Sequence, residues 1–128
     1  MNNIEPKYST FEQAKWLKEK GFNLPTLNWY HRGNKKFNTN DLLFSMNKLT
    51  DNYSAPEQWQ VVEWLRVNHG IWVSPGIITL NGVVKWFPRY FKFASTLLEI
   101  SEDIDGNFDT PQEAYSTAFD YIKDNNLI

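Results

Sequence analysis

Asn81-Gly82 stands between two β-branched runs, Ile77-Ile78-Thr79-Leu80 and Val83-Val84-Lys85-Trp86-Phe87. A type I′ turn needs positive φ at both central positions, and Asn followed by Gly meets that demand at least cost, so this stretch reads as a hairpin. Pro75 and Pro88 each deny the ladder a donor, which stops the two strands or places them at an edge. Ile71-Trp72-Val73 before the hairpin, and Arg89 to Phe93 and Thr96 to Ile100 after it, read as further strands. Asp103-Ile104-Asp105-Gly106-Asn107 reads as a turn. Leu27 to His31 and Lys36-Phe37, around Arg32-Gly33-Asn34, form a second and poorer hairpin signal, and Asp41 to Lys48 reads as a short helix.

Three helices share one start signal, a hydroxyl residue followed three positions later by Glu: Ser9/Glu12, Ser54/Glu57 and Thr110/Glu113. Such pairs satisfy amides that a helix start leaves unbonded. The third adds Pro111 at the first helical position, where a missing N–H costs nothing. The first helix is expected from about Phe11 to Lys20, closed by Gly21, with Phe11, Ala14, Leu17 and Phe22 on the buried side and Trp16 turned away. The second, about Ala55 to His69 and closed by Gly70, carries Val61, Val62 and Leu65 along its centre, flanked by Trp64 and Val67, and is expected to be the central helix. The third, from Pro111, aligns Ala114, Ala118 and Ile122, with Tyr115 and Phe119 beside them. The expected fold is α+β, three main helices packed on a small antiparallel sheet built from hairpins, in one domain of 128 residues. Lys15-Trp16-Leu17-Lys18 before Gly21 echoes Glu63-Trp64-Leu65-Arg66 before Gly70, but the echo is short and slips by one residue at the glycine, so chance explains it better than duplication.

Six Trp, six Tyr and nine Phe can supply most of an interior without a covalent staple. Cysteine is absent, which removes a disulfide framework, a thiolate nucleophile and sulfur-ligated zinc. The segment Met1 to Lys7 has no apolar stretch behind its charge and no long apolar run follows, so neither a signal peptide nor a membrane span is expected and the easy reading is cytoplasmic. The net charge of −2 hides an asymmetry: residues 1–93 carry +5 and residues 94–128 carry −7. Either the acidic end folds back over basic residues or two faces meet different partners.

Chemistry has few candidates. His69, in a last helical turn, suits a capping role, while His31 lies in Trp29-Tyr30-His31-Arg32 and is the better candidate for outside contact. No motif for a metal, a phosphate-cradling loop or a nucleophile elbow is present. Around Gly106 the acidic residues miss calcium-loop spacing, because with Asp103 as position one Gly106 falls at position four instead of six and position twelve is Ala114. No cofactor or metal is expected, and an enzyme is the least favoured class.

What remains is basic residues interleaved with aromatic ones, in Trp29, Tyr30, His31, Arg32, Lys35 and Lys36 and again in Lys85, Trp86, Arg89 and Tyr90. Aromatic faces stack on bases while cations hold phosphates, so a nucleotide could bind there. Exposed Trp, Tyr and Arg equally anchor protein partners, and half-buried strands produce the same alternation with no ligand at all.

Ser54-Ala55-Pro56-Glu57-Gln58-Trp59, Trp64-Leu65-Arg66, His69-Gly70-Ile71-Trp72-Val73 and Thr110-Pro111-Gln112-Glu113-Ala114-Tyr115 resemble a set of small uncharacterised proteins of Bacteroidetes and their bacteriophages. Thr10 to Lys18 resembles their first helix. The resemblance implies a bacterial or infected-cell cytoplasm and the type of accessory or anti-defence factor that phages direct at host proteins or host immune signals; it implies no functional residues. The leading expectation is a non-enzymatic protein that binds a host or phage protein through the ten aromatic and basic residues. The alternative is a protein that sequesters a nucleotide or immune second messenger, and self-association is compatible with either.

Overall fold

The computed structural model describes residues 6–94 and 97–128, with side chains described for 6–92 and 102–128. Its three helices and small antiparallel sheets make it a mixed α+β protein. The chain divides into two compact units, Met1–Gln58 and Trp59–Ile128.

Unit 1 begins with α1 (Phe11–Glu19), followed by β1 (Thr26–His31), β2 (Phe37–Phe44) and β3 (Asn52–Ser54) in one sheet of order β2-β1-β3. The α1 start lies one residue beyond the Ser9/Glu12 signal. Thr10 is the N-cap, its hydroxyl accepting from the Gln13 amide while the Gln13 side chain accepts from the Thr10 amide. Gln13 closes this capping box and is itself buried, and the buried arc is Gln13, Ala14, Trp16 and Leu17. Trp16, expected to point away, is buried, because what packs against the helix and not its apolar spacing alone decides which arc is covered.

Ser9 is buried beside this cap and its hydroxyl has no partner among the described residues. Two substitutions separate the roles. Thr10→Ala is expected to cost about 1 kcal/mol as a lost cap. Ser9→Ala is expected to be neutral or to raise stability by up to about 1 kcal/mol, because it removes an unsatisfied buried hydroxyl. Equilibrium urea unfolding reads both values.

The poorer hairpin forms as β1–β2, turned by Arg32 to Lys36 with Lys35 at φ 59°. Where a short helix over Asp41 to Lys48 is expected, the chain instead continues as β2 to Phe44 and then makes a single 3₁₀ turn, Met46–Lys48. The expected Ser54/Glu57 helix start is also overturned. Ser54 belongs to β3, its hydroxyl accepting from the Asn47 amide, and Glu57 bridges to Tyr8. Extended pairing consumes these residues, so α2 runs Gln58–His69 rather than from Ala55.

Unit 2 holds most of α2, then β4 (Ile71–Val73), β5 (Gly76–Leu80), β6 (Val83–Phe87), β7 (Arg89–Ala94), β8 (Leu97–Asp103) and α3 (Pro111–Asp124). Strands β4-β7-β8 form one sheet and β5-β6 another. The β5–β6 hairpin turns at Asn81 (φ 51°) and Gly82 (φ 78°), as the I′ geometry requires, with Leu80 opposite Val83. Gly76 is buried, and a side chain there would collide with the Phe87 ring lying across it. Pro75 precedes β5 and Pro88 separates β6 from β7. Thr96, the expected start of a strand, lies outside the described residues, and β8 extends through Asp103, where a turn is expected to begin.

The α3 start matches its signal: Thr110 is the N-cap, bonded by the Glu113 amide, and Pro111 follows. Its buried residues are Ala114, Ala118, Phe119 and Ile122, and α3 lies against β6 and β7. On α2 the buried residues are Val61, Trp64 and Leu65, whereas Val67 is exposed rather than flanking the buried stripe.

Candidate functional site

The ten residues singled out by charge and aromaticity fall in different units, six in unit 1 and four in unit 2. In unit 1, β1 holds Trp29, Tyr30 and His31 half-buried. The Trp29 indole donates to Asn40 Oδ1 at 3.1 Å and the Tyr30 hydroxyl to the Ser9 carbonyl at 2.7 Å. Burial holds the Tyr30 phenol above its usual range. His31 Nδ1 accepts from the Gly33 and Asn34 amides at 3.1 and 3.3 Å, so the ring shapes its own turn. The Lys35 ammonium lies 5.1 Å from the Phe11 ring centroid. Arg32, Lys35 and Lys36 are exposed.

In unit 2 the corresponding groups are more fully engaged. Lys85 pairs with Asp109, a contact of a basic residue with the acidic end of the chain. Arg89 donates from Nε to the Ser74 carbonyl at 3.0 Å and its guanidinium lies 4.9 Å from the Phe91 ring centroid. The Trp86 backbone exchanges bonds with Phe108. Tyr90 is only 4% exposed. Its hydroxyl donates to Glu102 at 2.6 Å, and Tyr121 donates to the other oxygen of the same carboxylate at 2.8 Å.

That carboxylate–diphenol cluster joins three titratable groups, and the carboxylate and the phenols shift one another. The two phenolic donors hold Glu102 below the ordinary carboxylate range. Burial and the carboxylate push Tyr90 well up, and the same carboxylate raises Tyr121. At neutral pH a carboxylate held low stays charged and phenols held high stay protonated, which keeps both bonds charge-assisted. The cluster is a structural tie between β7, β8 and α3. Among the described residues no group of three or more His, Asp or Glu side chains could hold a metal ion.

The exposed apolar surface lies on residues that basic–aromatic patterning passed over. In unit 1 the β1–β2 register jumps: Thr26 faces Phe44 and Asn28 faces Thr39, so residues 40–43 bulge out opposite Leu27. At the tip Leu42 is 78% exposed and Leu43 66%, with Leu24, Leu27 and Phe44 also exposed. The feet of the bulge are tied down. Asn40 accepts from Trp29 and its amide bonds Met46 Sδ, while the Ser45 hydroxyl bonds the Asn23 side chain. In unit 2, Trp59 and Trp72 are exposed, as are Ile77, Ile78, Leu80, Val83 and Val84 of the hairpin. A sequence signal for the bulge did exist, an uninterrupted Leu42-Leu43-Phe44 behind Asp41, but helical spacing accounts for it equally well.

Among the described residues no helix is long and apolar enough to cross a membrane. No family model, no curated protein and no solved structure matches this chain.

Proposed function

We propose that the chain is a non-enzymatic binding protein, an accessory factor of a bacterium or phage, that engages a protein partner through the Leu42-Leu43-Phe44 bulge. The single observation that carries this reading is the exposure of Leu42 and Leu43 on a bulge whose two feet are fixed by hydrogen bonds. Leucines held in solvent on an anchored protrusion lower the ordering cost of entering an apolar pocket on another protein. From Phe37 to Asn47 the only charge is Asp41, which disfavours nucleic acid and anionic lipid as the counterpart. The nucleotide-sequestering alternative is weakened in unit 2, where Lys85 pairs with Asp109 and Arg89 donates to a carbonyl, and rests on the exposed Arg32, Lys35 and Lys36 of unit 1.

The test is affinity capture from native or infected cells with the wild-type chain and with a Leu42→Asp/Leu43→Asp variant, followed by mass spectrometry. Loss of a reproducible partner in the variant, with circular dichroism unchanged, is expected. Identical captured sets would remove the bulge from recognition. Thermal-shift screening of nucleotides is expected to leave the midpoint in place, and a shift of several degrees would favour the sequestering alternative.

A further inference from the structure

Edge strands invite pairing, and folded proteins protect them by shortness, charge, proline, bulges or cover. The edges described here can be compared one by one. β2 carries Asp41 and the bulge; β3 and β4 have three residues each; β8 contains Glu99, Glu102 and Asp103. β6 carries Lys85 and is covered where Phe108 bonds Trp86 in both directions. β5, Gly76-Ile77-Ile78-Thr79-Leu80, has none of these devices within its span: it is uncharged, regular in register and, among the described residues, paired on one side only.

The register also shows which groups face outward. In a hairpin with a two-residue loop the flanking pair, Leu80 and Val83, is hydrogen-bonded, and the pairs alternate from there. Thr79 and Ile77 are therefore in non-hydrogen-bonded pairs with Val84 and Trp86, and their amides and carbonyls point away from the partner strand. The bonds of Trp86 to Phe108 confirm this phase, since Trp86 stands opposite Ile77 and directs its own backbone groups outward.

We infer that β5 is a self-association edge and that its occupant is β5 of a second copy of this chain, antiparallel about a two-fold axis at Ile78. Ile77 of one copy then pairs with Thr79 of the other, and every outward amide of one meets an outward carbonyl of its counterpart. Ile78 faces Ile78 across the axis as a non-hydrogen-bonded pair, where side chains approach most closely. Trp86, Ile77, Thr79 and Val84 become one continuous row across the four-stranded sheet. A second copy suits this edge because the strand carries no charge to repel its own image and its two outward residues are symmetric about Ile78. This interface is separate from the unit 1 bulge, so it stands whether or not the bulge binds a partner.

The test uses analytical ultracentrifugation over a concentration series. Wild type is expected to pass from monomer to dimer mass as concentration rises. Ile78→Lys and Ile78→Glu each place like charges directly opposite and are expected to remain monomeric, while their equimolar mixture regains dimer mass. The chain contains no cysteine, so Ile78→Cys provides an independent reading. Cα atoms about 4.5 Å apart in a non-hydrogen-bonded pair lie within disulfide reach, so mild oxidation is expected to link Ile78→Cys dimers far faster than Val84→Cys ones. Wild type that stays monomeric at every concentration, charge variants that dimerise singly, open-ended oligomers, or equal rates for the two cysteine variants would each overturn the inference.

Discussion

Replacing Phe119 by alanine is expected to lower the stability of unit 2 by about 3–5 kcal/mol, the typical loss for truncating a fully buried phenylalanine. Phe119 sits on α3 with no exposed surface, among Ala114, Ala118 and Ile122, which are equally inaccessible. The alanines are too small to close over the space that the ring would leave, so the cavity persists. Domains of this size have about 5–15 kcal/mol in total, and the loss is therefore a large fraction of the whole. Urea unfolding followed by near-ultraviolet circular dichroism measures it; a loss below about 1 kcal/mol would mean that Phe119 is not buried in solution.

The second large effect is expected at Glu102. Glu102→Ala strands the Tyr90 hydroxyl, which is almost inaccessible to water, and leaving such a group unsatisfied costs about 1–3 kcal/mol. Glu102→Gln is expected to retain part of that, because its amide oxygen can still accept one phenol. The same cluster sets the pH limits of stability. Glu102 is held low in the folded state, so its contribution is complete above the unfolded value of about 4.3 and is lost as pH falls through the lower folded value. Tyr90 is held high, so its contribution is complete below the unfolded value of about 10 and is lost as pH rises from there toward the folded value. Thermal midpoints measured between pH 2 and pH 11 are expected to fall at both ends, and Glu102→Gln is expected to flatten the acid side. An unchanged acid limb in that variant would assign the acid loss to other carboxylates.

Local chemistry was the legible part of this sequence. Asn81-Gly82 and Thr110-Pro111 act within a few residues of themselves, through φ preferences and a single capping bond, and the structure places a turn and a helix start at those positions. Ser9 and Ser54 carry the same signal, yet longer-range contacts claim them. Ser9 joins Pro56 through its amide and accepts Tyr30 at its carbonyl, and Ser54 is paired with Trp29 and bonded to Asn47. Trp16 departs from its expected outward position for a related reason, because packing around α1 covers an arc wider than its apolar spacing marks and includes Gln13 and Trp16. Residues 40–44 have spacing compatible with a helix turn, and only pairing with β1 makes them a bulged strand.

The proposed binding surface is harder to read from sequence because composition does not report partners. Trp29, Tyr30, Lys85, Arg89 and Tyr90 have the chemistry of interface anchors, but each is committed to a contact inside its own unit. Leu42 and Leu43 look like interior residues and stand in solvent.

Titration of the captured partner against three forms of the protein tests this reversal most directly: wild type, Leu42→Asp/Leu43→Asp, and Arg32→Ala/Lys36→Ala. The leucine variant is expected to bind at least about 30-fold more weakly, the equivalent of a hot-spot loss of 2 kcal/mol or more, with the basic variant within about twofold of wild type. Weakened binding by the basic variant with the leucine variant unaffected would contradict the assignment and return recognition to the aromatic and basic residues.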